Sequence, residues 1–334
     1  MVTELYKNVY SFPVVLPDSP LKAINIYVIK DKEKALVLDT GYNMEESKES
    51  MIQGLKELGL KVEDTSLFLT HLHSDHTGLA AMFADAGCDV YASKLDGESV
   101  NNMAKGKYWN LMGELLQLFG ISEDEINVTD NPGYLYRLSH AIDIKYVEPG
   151  DIIKTGDYEF EVADLKGHTP GHIGLIEKNH KLLFCGDTIL NRITPNITFW
   201  GFEYGDILGT YISTLLRLRG EDIEHCFSTH RSMITDYRKR IDELVAHHID
   251  RLQEILDAME EGEEYVIREI SPRISWRIKA DSWDDFPAAQ KFFASGETMS
   301  HVEHLVFTGN VKRENRNGTL YFKKVNPKYE KEWF

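Results

Sequence analysis

The stretch Thr70-His71-Leu72-His73-Ser74-Asp75-His76-Thr77-Gly78 packs three imidazoles and a carboxylate into six consecutive residues, His71 to His76. It follows the apolar run Leu67-Phe68-Leu69, which reads as a buried strand, and precedes a helix signal. A chain with this feature has to deliver polar donors to the end of a buried strand. Imidazole nitrogen and carboxylate oxygen are the donors that suit zinc and its neighbours. The one-residue gap between His71 and His73 turns both side chains to one side of an extended segment. Asp75 and His76 sit at the turn into the helix and face a second point. One metal takes three or four protein ligands, and this loop alone offers four, which points to two metals.

Around that loop the first two-thirds of the chain alternates strand and helix signals. Ala23–Ile29 and Ala35–Leu38 read as a hairpin across the polar turn Lys30–Lys34. Met44–Leu60 reads as a helix with Met51, Leu55 and Leu58 on one face. Further strands are expected at Asp89–Ala92, Asp151–Thr155, Tyr158–Ala163, Ile173–Ile176, Leu182–Cys185 and Glu224–Phe227. Helices are expected at Ile207–Leu218 and Asp236–Met259, the second carrying His248 on its apolar stripe as a core histidine. Between Ser99 and Ser122, Tyr108, Trp109, Leu111, Met112, Leu115, Leu116 and Phe119 make an apolar helix. It reads first as a core helix and second as a wall over a pocket.

The acidic stretch Glu260–Glu264 reads as a linker, dividing the chain into residues 1–259 and 260–334. The second part is expected to hold helices at Asp284–Ala294 and Thr298–Phe307. A hairpin follows, Val311–Arg316 and Thr319–Phe322, turning at Asn317-Gly318, a type I′ signal. That outline is winged-helix-like.

Lys and Arg total 37 against 54 Asp and Glu, a net charge of -17. This opposes partners with phosphate backbones or anionic lipid surfaces. Cys88, Cys185 and Cys226 match neither a disulfide framework nor a metal clip. No apolar run approaches the roughly 20 residues of a bilayer span. The expectation is a cytoplasmic protein with a small-molecule substrate, no membrane contact, no nucleic-acid partner, and homodimerisation left open.

Four further single residues extend the donor pattern. His168 lies in the loop Gly167-His168-Thr169-Pro170-Gly171-His172, and Asp187, His230 and Asp39 each follow an apolar strand. With these residues in this order, the sequence resembles the metallo-β-lactamase superfamily from about Asp39 to His230. The resemblance implies an α+β fold, a four-layer αββα sandwich with the site at one edge of two packed sheets. It implies two divalent metal ions, zinc first, with iron or manganese as alternatives. His71, His73 and His168 would bind the first, and Asp75, His76 and His230 the second, with Asp187 bridging. Asp39 and His172 would support the site without ligating. Asp187 stands where class B1 lactamases place a cysteine, and His73 where flavodiiron proteins place a glutamate.

The set therefore resembles glyoxalase II, quorum-signal lactonases and relatives that cleave phosphodiesters, and the tail is most similar to a branch with a C-terminal winged-helix-like extension that includes an endoribonuclease. Thr229-His230-Arg231-Ser232 departs from the Gly-His-Gly often found at the last histidine, which alters the neighbouring pocket wall. The implied activity is hydrolysis of a small ester, thioester or lactone by a metal-bridging hydroxide, with Asp75 and Asp187 as the catalytic carboxylates. The alternatives are a metal-dependent nuclease, favoured by the basic tail residues Lys312, Arg313, Arg316, Lys323, Lys324 and Lys328, and a mononuclear iron oxygenase of the persulfide dioxygenase type.

Overall fold

A computed structural model describes residues 1–32, 34–122, 125–330 and 333. Glu33, within the expected turn Lys30–Lys34, lies outside the described residues. Seven strands form the first sheet in chain order: β1 (Thr3–Tyr6), β2 (Val9–Val15), β3 (Ala23–Ile29), β4 (Ala35–Leu38), β5 (Thr65–Phe68), β6 (Val90–Ala92) and β7 (Lys145–Tyr146). The first four are antiparallel neighbours, and β4 to β7 run parallel. The second sheet has the order β12 (His225–Phe227), β11 (Leu182–Phe184), β10 (Ile173–Glu177), β9 (Tyr158–Asp164) and β8 (Ile152–Thr155).

The two sheets face each other. On β9, Tyr158, Phe160 and Val162 turn inward while Glu159 and Glu161 alternate outward, the period-two signature of a half-buried strand. They join Val9, Tyr27, Leu38, Phe68, Leu175, Phe184 and Phe227 in one cluster drawn from both sheets. β4 and β10 are buried along their whole length because helices cover the other faces. α1 (Glu45–Glu57) packs on β2 through Met51 and Leu55. Short helices α2 (Ser74–Thr77) and α3 (Ala80–Asp85) follow β5, and α4 (Lys94–Ala104), α5 (Tyr108–Leu118) and α6 (Pro132–Leu135) lie between β6 and β7. α7 (Ile207–Arg219) and α8 (Tyr237–Ala258) pack together and share a cluster with Leu183 of the second sheet. The result is a helix–sheet–sheet–helix sandwich.

The last part of the chain holds α9 (Ile267–Ile270), α10 (Ala288–Phe307) and a third sheet, ordered β13 (Glu264–Tyr265), β15 (Thr319–Lys324), β14 (Val311–Arg316). The two helices expected at 284–294 and 298–307 are one, and it starts at Ala288. Ser295-Gly296-Glu297 reads as a break, but Gly296 lies mid-helix, where a side chain would collide with Thr198 Oγ1. The glycine serves a close approach rather than a turn. Asn317 and Gly318 both have positive φ, 55° and 90°, as a type I′ turn requires. One hydrophobic cluster runs from Phe12 and Met51 through Leu244 and Leu252 to Met299, Val302 and Phe322, so apolar packing is continuous past Met259. Within it α5 buries Trp109, Met112, Leu115 and Leu116 as a core helix. Among the described residues no helix is long and apolar enough to cross a membrane.

Candidate metal centre

Parallel pairing brings the strand ends to one place. β4 pairs parallel with β5, and β11 with β12, so Asp39, the His71 loop, Asp187 and His230 all leave the carboxyl ends of neighbouring strands. The loop from β9 to β10 adds His168 and His172. All nine residues singled out in the sequence converge there, and each is buried except His73, which is half-buried.

Seven of them form three overlapping donor groups: His71, His73 and His168; His71, His76 and Asp187; and Asp75, His76 and His230. Within each group the donor atoms lie within 4.8 Å of one another. His73 Nδ1 is 3.0 Å from His71 Nε2 and 2.9 Å from His168 Nε2. Asp187 reaches both sides, with Oδ1 3.5 Å from His76 Nε2 and 3.6 Å from His230 Nε2, and Oδ2 3.7 Å from His168 Nε2.

The outer ring nitrogens fix which way each imidazole faces. Nδ1 of His76 donates to Asp39 Oδ2 at 2.9 Å, of His168 to the Asn196 carbonyl at 2.8 Å, and of His230 to the Ala23 carbonyl at 3.1 Å. Thr70 Oγ1 donates to Asp39, so it accepts from His71 Nδ1 at 3.0 Å. With Nδ1 engaged outward, each Nε2 faces inward. Nε2 of His76 and of His230 are buried without a hydrogen-bond partner. Buried polar atoms are rarely left so, and a converging set of lone pairs with two orphaned nitrogens and two carboxylates fits divalent cations.

The electrostatics divide in the same way. Burial, then the imidazoles of His76 and His172, pulls the His71 imidazole well below its ordinary range. Burial and then His168 hold His73 down to about 3, and burial lowers His168 as well. These three are neutral electron-pair donors. Burial also opposes charge on His76, but Asp187, Asp39 and Asp75 outweigh it and raise it. Burial pushes the Asp75 carboxyl up, yet His76 and His230 outweigh this and hold it down to about 2. Asp187 is also held well below the ordinary carboxylate range, His230 and His76 again outweighing burial.

The supporting residues hold this geometry through main-chain atoms. Asp39 sits at φ 62°, a strained conformation for a non-glycine residue. Its carboxylate accepts from the Thr70 amide at 2.8 Å as well as from His76. His172 stacks on His71, with ring centroids 4.7 Å apart, and its Nε2 accepts from the Asp187 amide at 3.2 Å. Residues not anticipated from the sequence complete the frame. Asp96 is buried and accepts from the amides of Leu72 and Gly171 and from Thr169 Oγ1, tying the two histidine loops together. Ser93-x-x-Asp96 is a capping-box spacing, so its only sequence signal is a helix start. Thr229 Oγ1 donates to Asp187 Oδ1. Trp200 Nε1 donates to the His168 carbonyl at 3.2 Å, and its ring lies 5.9 Å from that of His73. The aromatic segment 188–202 is therefore mostly core, with Ile197, Phe199 and Trp200 buried. Residues 131–137 flank the centre: Ser74 Oγ donates to the Pro132 carbonyl, and the Tyr136 ring lies tilted against that of Tyr42, centroids 4.4 Å apart.

A sequence profile described as the Metallo-beta-lactamase superfamily matches residues 20–230, well over half of the chain. The chain belongs to that superfamily. Hydroxyacylglutathione hydrolase GloC of Haemophilus influenzae is 29% identical over 202 residues, covering 60% of this chain and 82% of that protein. Human acyl-coenzyme A thioesterase MBLAC2 is 27% identical over 174 residues, 49% of this chain and 58% of that protein. Similarity to the probable metallo-hydrolase YqjP of Bacillus subtilis runs past the profile, at 22% identity over 89% of this chain and 92% of that protein. The crystal structure of the metallo-beta-lactamase family protein TTHA1429 from Thermus thermophilus has the same fold, with TM-score 0.82 and 23% identity over 96% of this chain and all of that one. The superfamily and the converging His/Asp donors together make this chain a metal-dependent hydrolase.

Proposed function

We propose that the chain hydrolyses a small thioester, ester or lactone at a centre holding two divalent ions, zinc first among the candidates. The observation that carries this reading is Asp187: one carboxylate lies within 4 Å of histidines on both sides, between two otherwise complete donor groups. His71, His73 and His168 would hold one ion, Asp75, His76 and His230 the other, and Asp187 both. A pair of divalent ions supplies Lewis acidity and a water whose pKa is lowered to about 7. The chain's own residues set the stage for that chemistry. Asp75 and Asp187 would offset the cationic charge and orient the bound water, and Asp75 Oδ2 lies 3.2 Å from His230 Nε2 within the second donor group. Asp39, Thr70, Asn196 and Ala23 keep the four imidazoles in one tautomer and orientation. The names of the relatives GloC and MBLAC2 put thioesters first among the substrates.

A complete second donor group speaks for two ions rather than the single iron of the oxygenase reading. Of the six basic tail residues that favour the nuclease reading, four have partners within the chain. Arg313 pairs with Glu303, Arg316 with Glu264 and Glu314, Lys328 with Glu330, and Lys324 Nζ donates to the Leu256 carbonyl. The test is turnover of a generic aryl or acyl thioester before and after chelation, in wild type and Asp187→Ala. Chelation should abolish turnover. Asp187→Ala should cost more than His71→Ala or His230→Ala, and more than the roughly 10–100-fold typical of changes to supporting residues. Wild-type turnover in Asp187→Ala, with both ions retained, contradicts the assignment.

A further inference from the structure

Every donor at the centre comes from residues 71–230, and nothing in the sequence pattern ties residues 260–334 to it. The structure connects them. His168 Nδ1 donates to the carbonyl of Asn196, in the loop between β11 and α7. That loop lies along α10. The Asn196 side chain donates from Nδ2 to Glu297 Oε2 at 2.9 Å and to the Phe293 carbonyl at 3.2 Å. The Phe199 amide donates to the Gly296 carbonyl at 3.1 Å, and Ser300 Oγ donates to the Ile197 carbonyl. Gly296 lets helix and loop approach closely, since a Cβ there would collide with Thr198 Oγ1. Glu297, Gly296 and Ser300 are buried, and Asn196 is half-buried against them.

We propose that α10 is a positioning element of the first donor group, in which Glu297, through Asn196, fixes the carbonyl that orients the His168 imidazole. The inference rests on the reading that His71, His73 and His168 hold a metal ion. The physical argument is that a carbonyl in an untethered loop can rotate. A histidine whose outer nitrogen loses its acceptor then loses both orientation and basicity as a ligand. Glu297 and Phe293 turn the Asn196 peptide into a fixed acceptor. Glu297 is a positioning residue, acting on the ligand only through Asn196.

The test is a zinc titration of the full chain against a chromophoric chelator, which reads each ion's affinity without reference to turnover. Cobalt substitution reports the coordination of each site by its visible absorption. Wild type should bind two ions. Glu297→Ala should weaken one of them by about tenfold, at the lower end of supporting-residue effects, and leave the other unchanged. Glu297→Gln keeps an oxygen to accept from Asn196 Nδ2, so it should recover most of the loss. If Glu297→Ala does not fold, Asn196→Ala removes the tether while keeping the backbone carbonyl, and the same selective loss is expected.

Wild type binding fewer than two ions overturns the reading of the centre itself. Two ions in wild type, with unchanged affinities in folded Glu297→Ala or Asn196→Ala, overturns the positioning role alone. An equal loss at both ions, accompanied by a lower unfolding temperature of the metal-free protein, also overturns it, because that marks a merely structural part.

Discussion

At the scale of single residues, the centre is built from groups of two kinds, and only one kind is legible in the sequence. His71, His73, Asp75 and His76 stand out because three imidazoles and a carboxylate crowd into six residues, and Asp187 and His230 because each is a polar group following an apolar strand. Asp96 and Asn196 act through backbone amides and carbonyls, and a carboxylate that accepts from main-chain N–H groups leaves no pattern of spacing. Asp96 nonetheless carries three donors from two loops in a buried position. Asp96→Asn turns one acceptor oxygen into an NH2 group facing a donor. It is expected to cost about 1–3 kcal/mol, the usual penalty for an unsatisfied buried group. Denaturant midpoints of the metal-free protein measure this, and an unchanged midpoint contradicts the clamp.

Among the elements, strands are the most legible because alternation and β-branched runs are local. β9 and the β14–β15 hairpin show this well. α10 is legible only as two pieces, because the reason for Gly296 lies across the molecule, at Thr198. The same helix faces α8 through two buried imidazoles. His301 Nδ1 donates to the Glu297 carbonyl at 2.7 Å, so its Nε2 accepts from His248 Nδ1 at 3.0 Å and both rings are neutral. Burial holds His301 down to about 3, against an ordinary value of 6.5, and lowers His248 as well. Below pH 6.5 the unfolded chain takes up a proton that the folded one refuses. Stability from this pair is therefore full above pH 6.5 and falls as pH drops toward about 3. His301→Gln should flatten that acid slope by up to about 1.4 kcal/mol per pH unit. Equal slopes in unfolding titrations of variant and wild type would contradict it.

For the molecule as a whole, net charge and fold class are legible from composition and motif, whereas the relation between the two parts is not. We propose that residues 1–259 form the catalytic part and 260–334 a part that shares its core and braces its centre. Two of the six basic residues of the tail, Arg313 and Arg316, have carboxylate partners in Glu303, Glu264 and Glu314 that the sequence pattern does not reveal. With a net charge of -17 around them, the intact protein is expected to show no measurable binding to single-stranded RNA at physiological salt. Micromolar, salt-sensitive binding would restore the nuclease reading. The central claim is that one carboxylate joins two donor groups into a two-ion centre, and elemental analysis of fully loaded protein tests it most directly. The account predicts two divalent ions per chain, falling toward one in both His71→Ala and His230→Ala. A stoichiometry of one in fully loaded wild type contradicts it.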